Sequence, residues 1–181
     1  MSATTAAAHD DVVHVRRADF RFLLPDPALG RVAYPAPRDP ELLAALERVS
    51  ERVERAPAEA LDGFDLVVLT GGGRSAIEAA ADAAPAGAWL YAELTGPAAA
   101  ALARRLRRRG FEDVAAYWLW PDATRCKEIV PLEPTSLRHA LGRRDPGARL
   151  RLRAALAAAL VRTGLFRFAA SSAAVIARVP S

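Results

Sequence analysis

Apolar residues along this chain fall into two rhythms, short unbroken runs and helical stripes, and their alternation predicts an α/β protein. The run that opens at Asp65 and continues to Leu69 is too unbroken for a strand with one wet face. It suits a strand in the middle of a sheet covered on both sides. The three glycines Gly71, Gly72 and Gly73 follow, and then Ser75 and Glu78 at the S-x-x-E spacing of a capping box, which predicts a helix starting at Ser75. A turn at Pro85 to Gly87 leads into a second buried strand through Trp89 to Glu93.

The same reading extends in both directions. Upstream, Asp39 and Pro40 form an N-cap and first-turn pair. Leu42, Leu43, Leu46, Val49 and Val53 then share one face, opposite Glu47, Arg48, Glu51 and Arg52, as in a helix covering a sheet. Gly30 to Tyr34 predicts a short strand before it and Val53 to Ala56 a minimal one after it, with Pro35, Pro37 and Pro40 holding the connection extended. Phe20 to Leu24, stopped by Pro25-Asp26-Pro27, reads as an edge strand or a packing arm. Downstream, Gly96-Pro97 opens a helix with Ala99, Leu102, Ala103 and Leu106 inward and Arg104, Arg105, Arg107, Arg108 and Arg109 in water, ended by Gly110.

Val114 to Trp120 is an aromatic strand, with Trp118 and Trp120 on one face and Tyr117 and Leu119 on the other. Pro121 to Pro134 reads as a long loop of the kind that covers sites. A helix including Ser136 to Leu141 follows, then an alanine- and leucine-rich helix through Leu150, Leu156 and Leu160, stopped by Gly164. Leu165 to Phe168 and Ala173 to Val179 close the chain as one bent strand or a hairpin.

Composition narrows this picture. The 181 residues are 52% hydrophobic, enough for one well-buried domain, expected over 12–181 after a disordered leader at 1–11. The net charge of +4 is arginine charge, since Lys127 is the sole lysine. It is not gathered into one groove, and the arginines after Leu102 suit a solvated helix face and helix C-terminus, so no nucleic-acid partner is expected. No apolar run approaches the ~20 residues of a membrane span, and the N-terminus lacks the basic and apolar regions of a signal peptide. The expectation is a cytoplasmic protein without a membrane partner.

Candidate chemistry is sparse. Thr70, Gly71, Gly72 and Gly73 form a loop whose backbone a ligand can approach closely. Paired Trp118 and Trp120, with Asp122 beyond them, suit a pocket wall, although large aromatics also serve as plain core. Cys126 lies between Arg125 and Lys127, cations that favour a thiolate, against the simpler reading of a structural cysteine. As the single cysteine it excludes an internal disulfide or a multi-cysteine metal site. His9 and His14 lie outside any ligand register, and Asp122 with His139 is at most a possible acid/base pair.

In order and pattern, about 115 residues resemble the class I S-adenosylmethionine-dependent methyltransferases. Asp65 to Leu69 looks like that family's fourth strand, and Pro85-Ala86-Gly87 with Ala88 to Glu93 like its turn into the fifth. Gly110-Phe111 before the aromatic strand, and a last strand reached through a long helix, resemble its sixth and seventh. The resemblance implies a Rossmann-like, mostly parallel sheet with an antiparallel C-terminal strand, trimmed of a third strand and its helix. It also implies S-adenosylmethionine near Thr70, Gly71, Gly72 and Gly73, with substrate against Trp118, Trp120 and Asp122. The family's glycine turn falls on Arg31 to Arg38, which contains no glycine and carries Pro35 and Pro37, and the best ribose-binding acid is Glu54. A second register takes Leu66 to Leu69 as the first strand, with Gly71-x-Gly73-x-x-Ala76 as a fingerprint and Glu93 as its acid. The expected function is a non-catalytic, methyltransferase-like partner or scaffold subunit, in a homo-oligomer or with another protein. The alternative is an active methyltransferase acting on a small molecule.

Overall fold

In the computed structural model, residues 16–36, 38–57, 60–71, 73–143 and 159–181 are described. Seven strands form one sheet: β1 (Arg31–Ala33), β2 (Arg52–Glu54), β3 (Leu66–Thr70), β4 (Trp89–Leu94), β5 (Glu112–Trp120), β6 (Glu128–Pro131) and β7 (Ala173–Arg178). Their spatial order is β2-β1-β3-β4-β7-β5-β6. β1 pairs in parallel with β2 and β3, and β3 with β4, while β7 runs antiparallel between β4 and β5. This is the Rossmann-like, methyltransferase-type sheet that the resemblance implies. The short link between β2 and β3 leaves no room for another strand and helix. Because β1 and β2 precede β3 in the sheet, the register that makes Leu66 to Leu69 the first strand is overturned.

All five residues of β3 are buried, as an apolar run covered on both faces requires. One face packs Val67, Leu69, Leu90, Ala92 and Val175 beneath α2 (Gly73–Ala83) and α3 (Gly96–Arg108). The other packs Val32, Tyr34, Leu66, Val68, Tyr91 and Ile176 beneath α1 (Pro40–Val49) and an N-terminal arm. A third cluster joins Trp118 and Val130 to α4 (Pro134–Gly142), Val161 and Phe166 of α5 (Phe166–Ala169). No helix among the described residues is long and apolar enough to cross a membrane.

Several local expectations are corrected. Of the two readings of Phe20 to Leu24, the packing arm holds and the edge strand does not: Asp19–Leu23 is a 3-10 turn lying across a sheet face, with Phe20 stacked on Tyr91 at 3.7 Å between ring centroids. α2 starts at Gly73, two residues before Ser75, and the Glu78 carboxylate pairs with Arg105 of α3. The predicted loop Pro121 to Pro134 contains β6, whose Val130 sits opposite Trp118 and whose Pro131 ends an edge strand, where proline is tolerated. The segment before β7 contains α5 rather than a strand. The leader, His9, His14, Gly72 and most of the alanine-rich helix lie outside the described residues.

Candidate functional site

The carboxyl ends of β1, β3 and β4 lie side by side, where ligands bind in open α/β sheets. Period-two alternation puts Tyr34, Thr70, Tyr91 and Glu93 on the face shared with α1 and the arm. Tyr34, the residue after β1, is fully buried and hydrogen-bonds through its hydroxyl to Thr70 Oγ1, while its N–H donates to the Glu54 carbonyl at 2.8 Å. The position of the expected glycine turn is thus filled by an aromatic side chain tied to the neighbouring strand.

A second cluster lies beside it. Arg17, from the start of the arm, donates Nη1 and Nη2 to the two carboxylate oxygens of Glu93, each at 2.6 Å. Its Nε donates to Asp39 Oδ2 at 2.9 Å. The other oxygen of Asp39 accepts from the Leu42 N–H at 3.0 Å and so caps α1. The Tyr91 hydroxyl donates to Glu93 Oε1 at 2.7 Å. One guanidinium faces two carboxylates, and the helix N-terminus at Asp39 offsets the second negative charge. The Arg17 side chain is 5% exposed, against 11% for Glu93 and 19% for Asp39, so this is a buried network and not a surface ion pair.

Burial sets the electrostatics. It would lower the Arg17 pKa, yet the hydrogen bond and charge of Glu93 outweigh it, and the guanidinium is held more firmly protonated than usual. Burial, reinforced by the Glu93 charge, pushes the Tyr91 phenol well above its ordinary range, so it remains a donor. Burial also pushes the Cys126 thiol up. Its Sγ donates to the Glu128 carbonyl at 3.4 Å, and the thiolate suggested by neighbouring cations is overturned. Arg17, Asp39, Tyr91 and Glu93 thus clamp one another.

The sequence-predicted residues are distributed around this network. Thr70 ends β3, Gly71 follows it, and Gly73 opens α2. A Cβ placed on Gly71, where φ is +77°, would meet the Arg38 side chain at 3.4 Å, so the glycine allows a close approach by the chain's own arginine. Trp118 and Trp120 share the opposite face and pack with the third cluster, Trp118 edge-to-face on Phe166 at 5.0 Å. Asp122 Oδ1 accepts from the Arg125 N–H at 2.7 Å. Glu54 ends β2 as expected, and its carboxylate pairs with Arg52 Nε at 2.8 Å and Arg31 Nη2 at 3.5 Å. Sequence reasoning missed Arg17 altogether and credited Asp39 with only its capping role. Glu93 was noted as an acid ending a strand, but its partner lies 76 residues away.

Where the family holds S-adenosylmethionine on a glycine turn, the exit of β1 offers no glycine among its described residues. The space beside the network, lined by Arg17, Phe20, Tyr91, Leu119, Cys126 and others, measures about 140 Å³. Glu54, the acid that ends β2, is engaged by Arg52 and Arg31, and the exit of β1 carries Pro35 and the buried Tyr34.

No family model and no curated protein matches the chain. Among solved structures it is similar to an S-adenosylmethionine-dependent methyltransferase, a possible histamine N-methyltransferase, from Thermotoga maritima. The identity is 11%, the match covers 97% of this chain and 95% of the other, and the TM-score is 0.40. It is also similar to a precorrin-6y C5,15-methyltransferase from Geobacter metallireducens (15% identity, 64% and 80% covered, TM-score 0.37). A third is a phosphoethanolamine N-methyltransferase from Haemonchus contortus (12% identity, 93% and 52% covered, TM-score 0.40).

Proposed function

We propose that this protein is a non-catalytic, methyltransferase-like subunit that acts in the cytoplasm by packing against a copy of itself or another protein. The observation supporting this reading is the Arg17, Asp39, Tyr91 and Glu93 network, which fills the ligand-binding end of the sheet with mutually satisfied groups. A catalytic site keeps groups poised for a substrate, whereas here each charge is matched within the fold. The hydrogen bond of the buried Tyr34 to Thr70, in place of a glycine turn, supports the same reading.

The test is a calorimetric titration of the purified protein with S-adenosylmethionine. No saturable heat up to millimolar cofactor is expected. A dissociation constant tighter than roughly 100 μM, about −5.5 kcal/mol, would overturn the non-binding reading and leave an active methyltransferase in its place. Light scattering across a dilution series tests self-association, with a mass above the 19.3 kDa monomer expected if the partner is a second copy.

A further inference from the structure

The cavity of about 140 Å³ between the N-terminal arm and the sheet has walls of two kinds. Phe20 from the arm, Leu119 of β5, Ala123 and Ile129 of β6 supply apolar surface. Tyr91 and Cys126 also border it, but their polar hydrogens are already used: the phenol donates to Glu93 Oε1 at 2.7 Å and the thiol to the Glu128 carbonyl at 3.4 Å. The mouth is charged. Arg16 and Lys127 border it, both are exposed, and among the described residues neither makes a salt bridge. The backbone of Lys127 is fixed, since its N–H donates to the Trp120 carbonyl at 2.8 Å.

The charges around this cavity do not cancel. Arg17 is matched by Glu93 and Asp39, and Asp19, the one acid on the wall, lies near Arg21 as well as Arg16. Arg16, Arg17, Arg21 and Lys127 thus face the carboxylates of Asp19, Asp39 and Glu93, which leaves positive charge in excess by one. We propose that the cavity binds a short-chain monocarboxylate, with the carboxylate between the Arg16 guanidinium and the Lys127 ammonium and the alkyl chain against Phe20, Leu119, Ala123 and Ile129. A single negative charge balances the excess, and charge-assisted hydrogen bonds from two cations hold it at the mouth. At ~30 Å³ for a water-sized group, the space takes about five such groups, which admits butyrate and excludes a nucleotide. The mouth already lies at the surface, so the ligand enters with the arm in place. The proposal goes beyond the subunit reading and does not rest on it.

An amide NMR titration of the purified protein with sodium butyrate tests it. Saturable shifts are expected at Ala123, Lys127 and Ile129, with a dissociation constant below ~10 mM. Butylamine, which carries the same chain on a cation, is expected to give none. Acetate, shorter by two methylenes, is expected to bind ~10-fold more weakly than butyrate. Lys127→Ala is expected to weaken butyrate binding ~10-fold while the thermal midpoint stays unchanged, because the side chain it removes is exposed. Three results would each overturn the proposal: no saturable shift with butyrate up to ~50 mM, butylamine bound as tightly as butyrate, or unaltered butyrate affinity in Lys127→Ala. Acetate bound as tightly as butyrate would mean ion pairing at the surface without an apolar site, and would overturn it as well.

Discussion

The two ends of the central strands differ sharply. At the amino ends, Leu24, Asp26, Gly30, Asp65 and Trp89 border an open groove of about 650 Å³, while the carboxyl-end space beside Arg17 measures about 140 Å³. At the amino end the bonds are exposed and made to backbone N–H groups, the Asp26 carboxylate accepting from the Ala28 N–H at 2.9 Å and Asp65 from the Arg31 N–H at 2.7 Å. At the carboxyl end the bonds cross 22 and 76 residues and bury charge. The end that open α/β sheets reserve for ligands is thus the one where this chain buries its charged network.

That contrast predicts a gradient of mutational cost. Glu93→Ala leaves Arg17 buried without its main partner and is expected to lose about 3–5 kcal/mol of stability by urea denaturation. Replacing both ends, Arg17→Met with Glu93→Leu, is expected to recover most of that loss, because a buried pair stabilises little relative to apolar groups of similar volume. Phe20→Ala removes the arm's buried ring and is expected to cost about 3 kcal/mol in the same assay. Asp39→Asn keeps a capping oxygen but withdraws a charge from Arg17, with an expected loss of about 1–2 kcal/mol. At the amino end, Asp26→Ala is expected to stay within about 0.5 kcal/mol of the unaltered protein. A cost there equal to that of Glu93→Ala would erase the contrast.

Alkali sharpens the same comparison. Tyr91 and Cys126 have pKa values raised by burial, so in the folded state each keeps its proton to a higher pH than in the unfolded chain. The unfolded state then binds fewer protons, and stability falls as pH rises. The stability is fully present below the unfolded values, near 8.5 for the thiol and about 10 for the phenol, and declines above them. Denaturation followed between those values is expected to show a decline that Cys126→Ala reduces. A further decline above about 10 is expected to be reduced by Tyr91→Phe.

How far the sequence reveals this follows from the range of the interactions. Periodicity is local, so the buried run of β3, the Asp39 cap of α1 and the inward stripe Ala99, Leu102, Ala103 and Leu106 of α3 were all legible. β6 was obscured because a four-residue edge strand ending in proline carries little pattern. For Phe20 to Leu24 the sequence left edge strand and packing arm open, and only the fold decides for the arm, with Phe20 buried on Tyr91 while Phe22 is 63% exposed beneath the Arg21 guanidinium. Arg17 was illegible for a different reason. Nothing near it in sequence marks an arginine that will be buried, because the carboxylates that make burial tolerable come from α1 and β4.

The most direct measurement of the central claim is a double-mutant cycle between Arg17 and Glu93, using Arg17→Ala, Glu93→Ala and the double variant, with stability read from urea denaturation. If the pair closes the ligand-binding end as a buried network, the coupling energy is about 2 kcal/mol or more. A coupling of less than about 0.5 kcal/mol, the range of an exposed ion pair, would contradict the account.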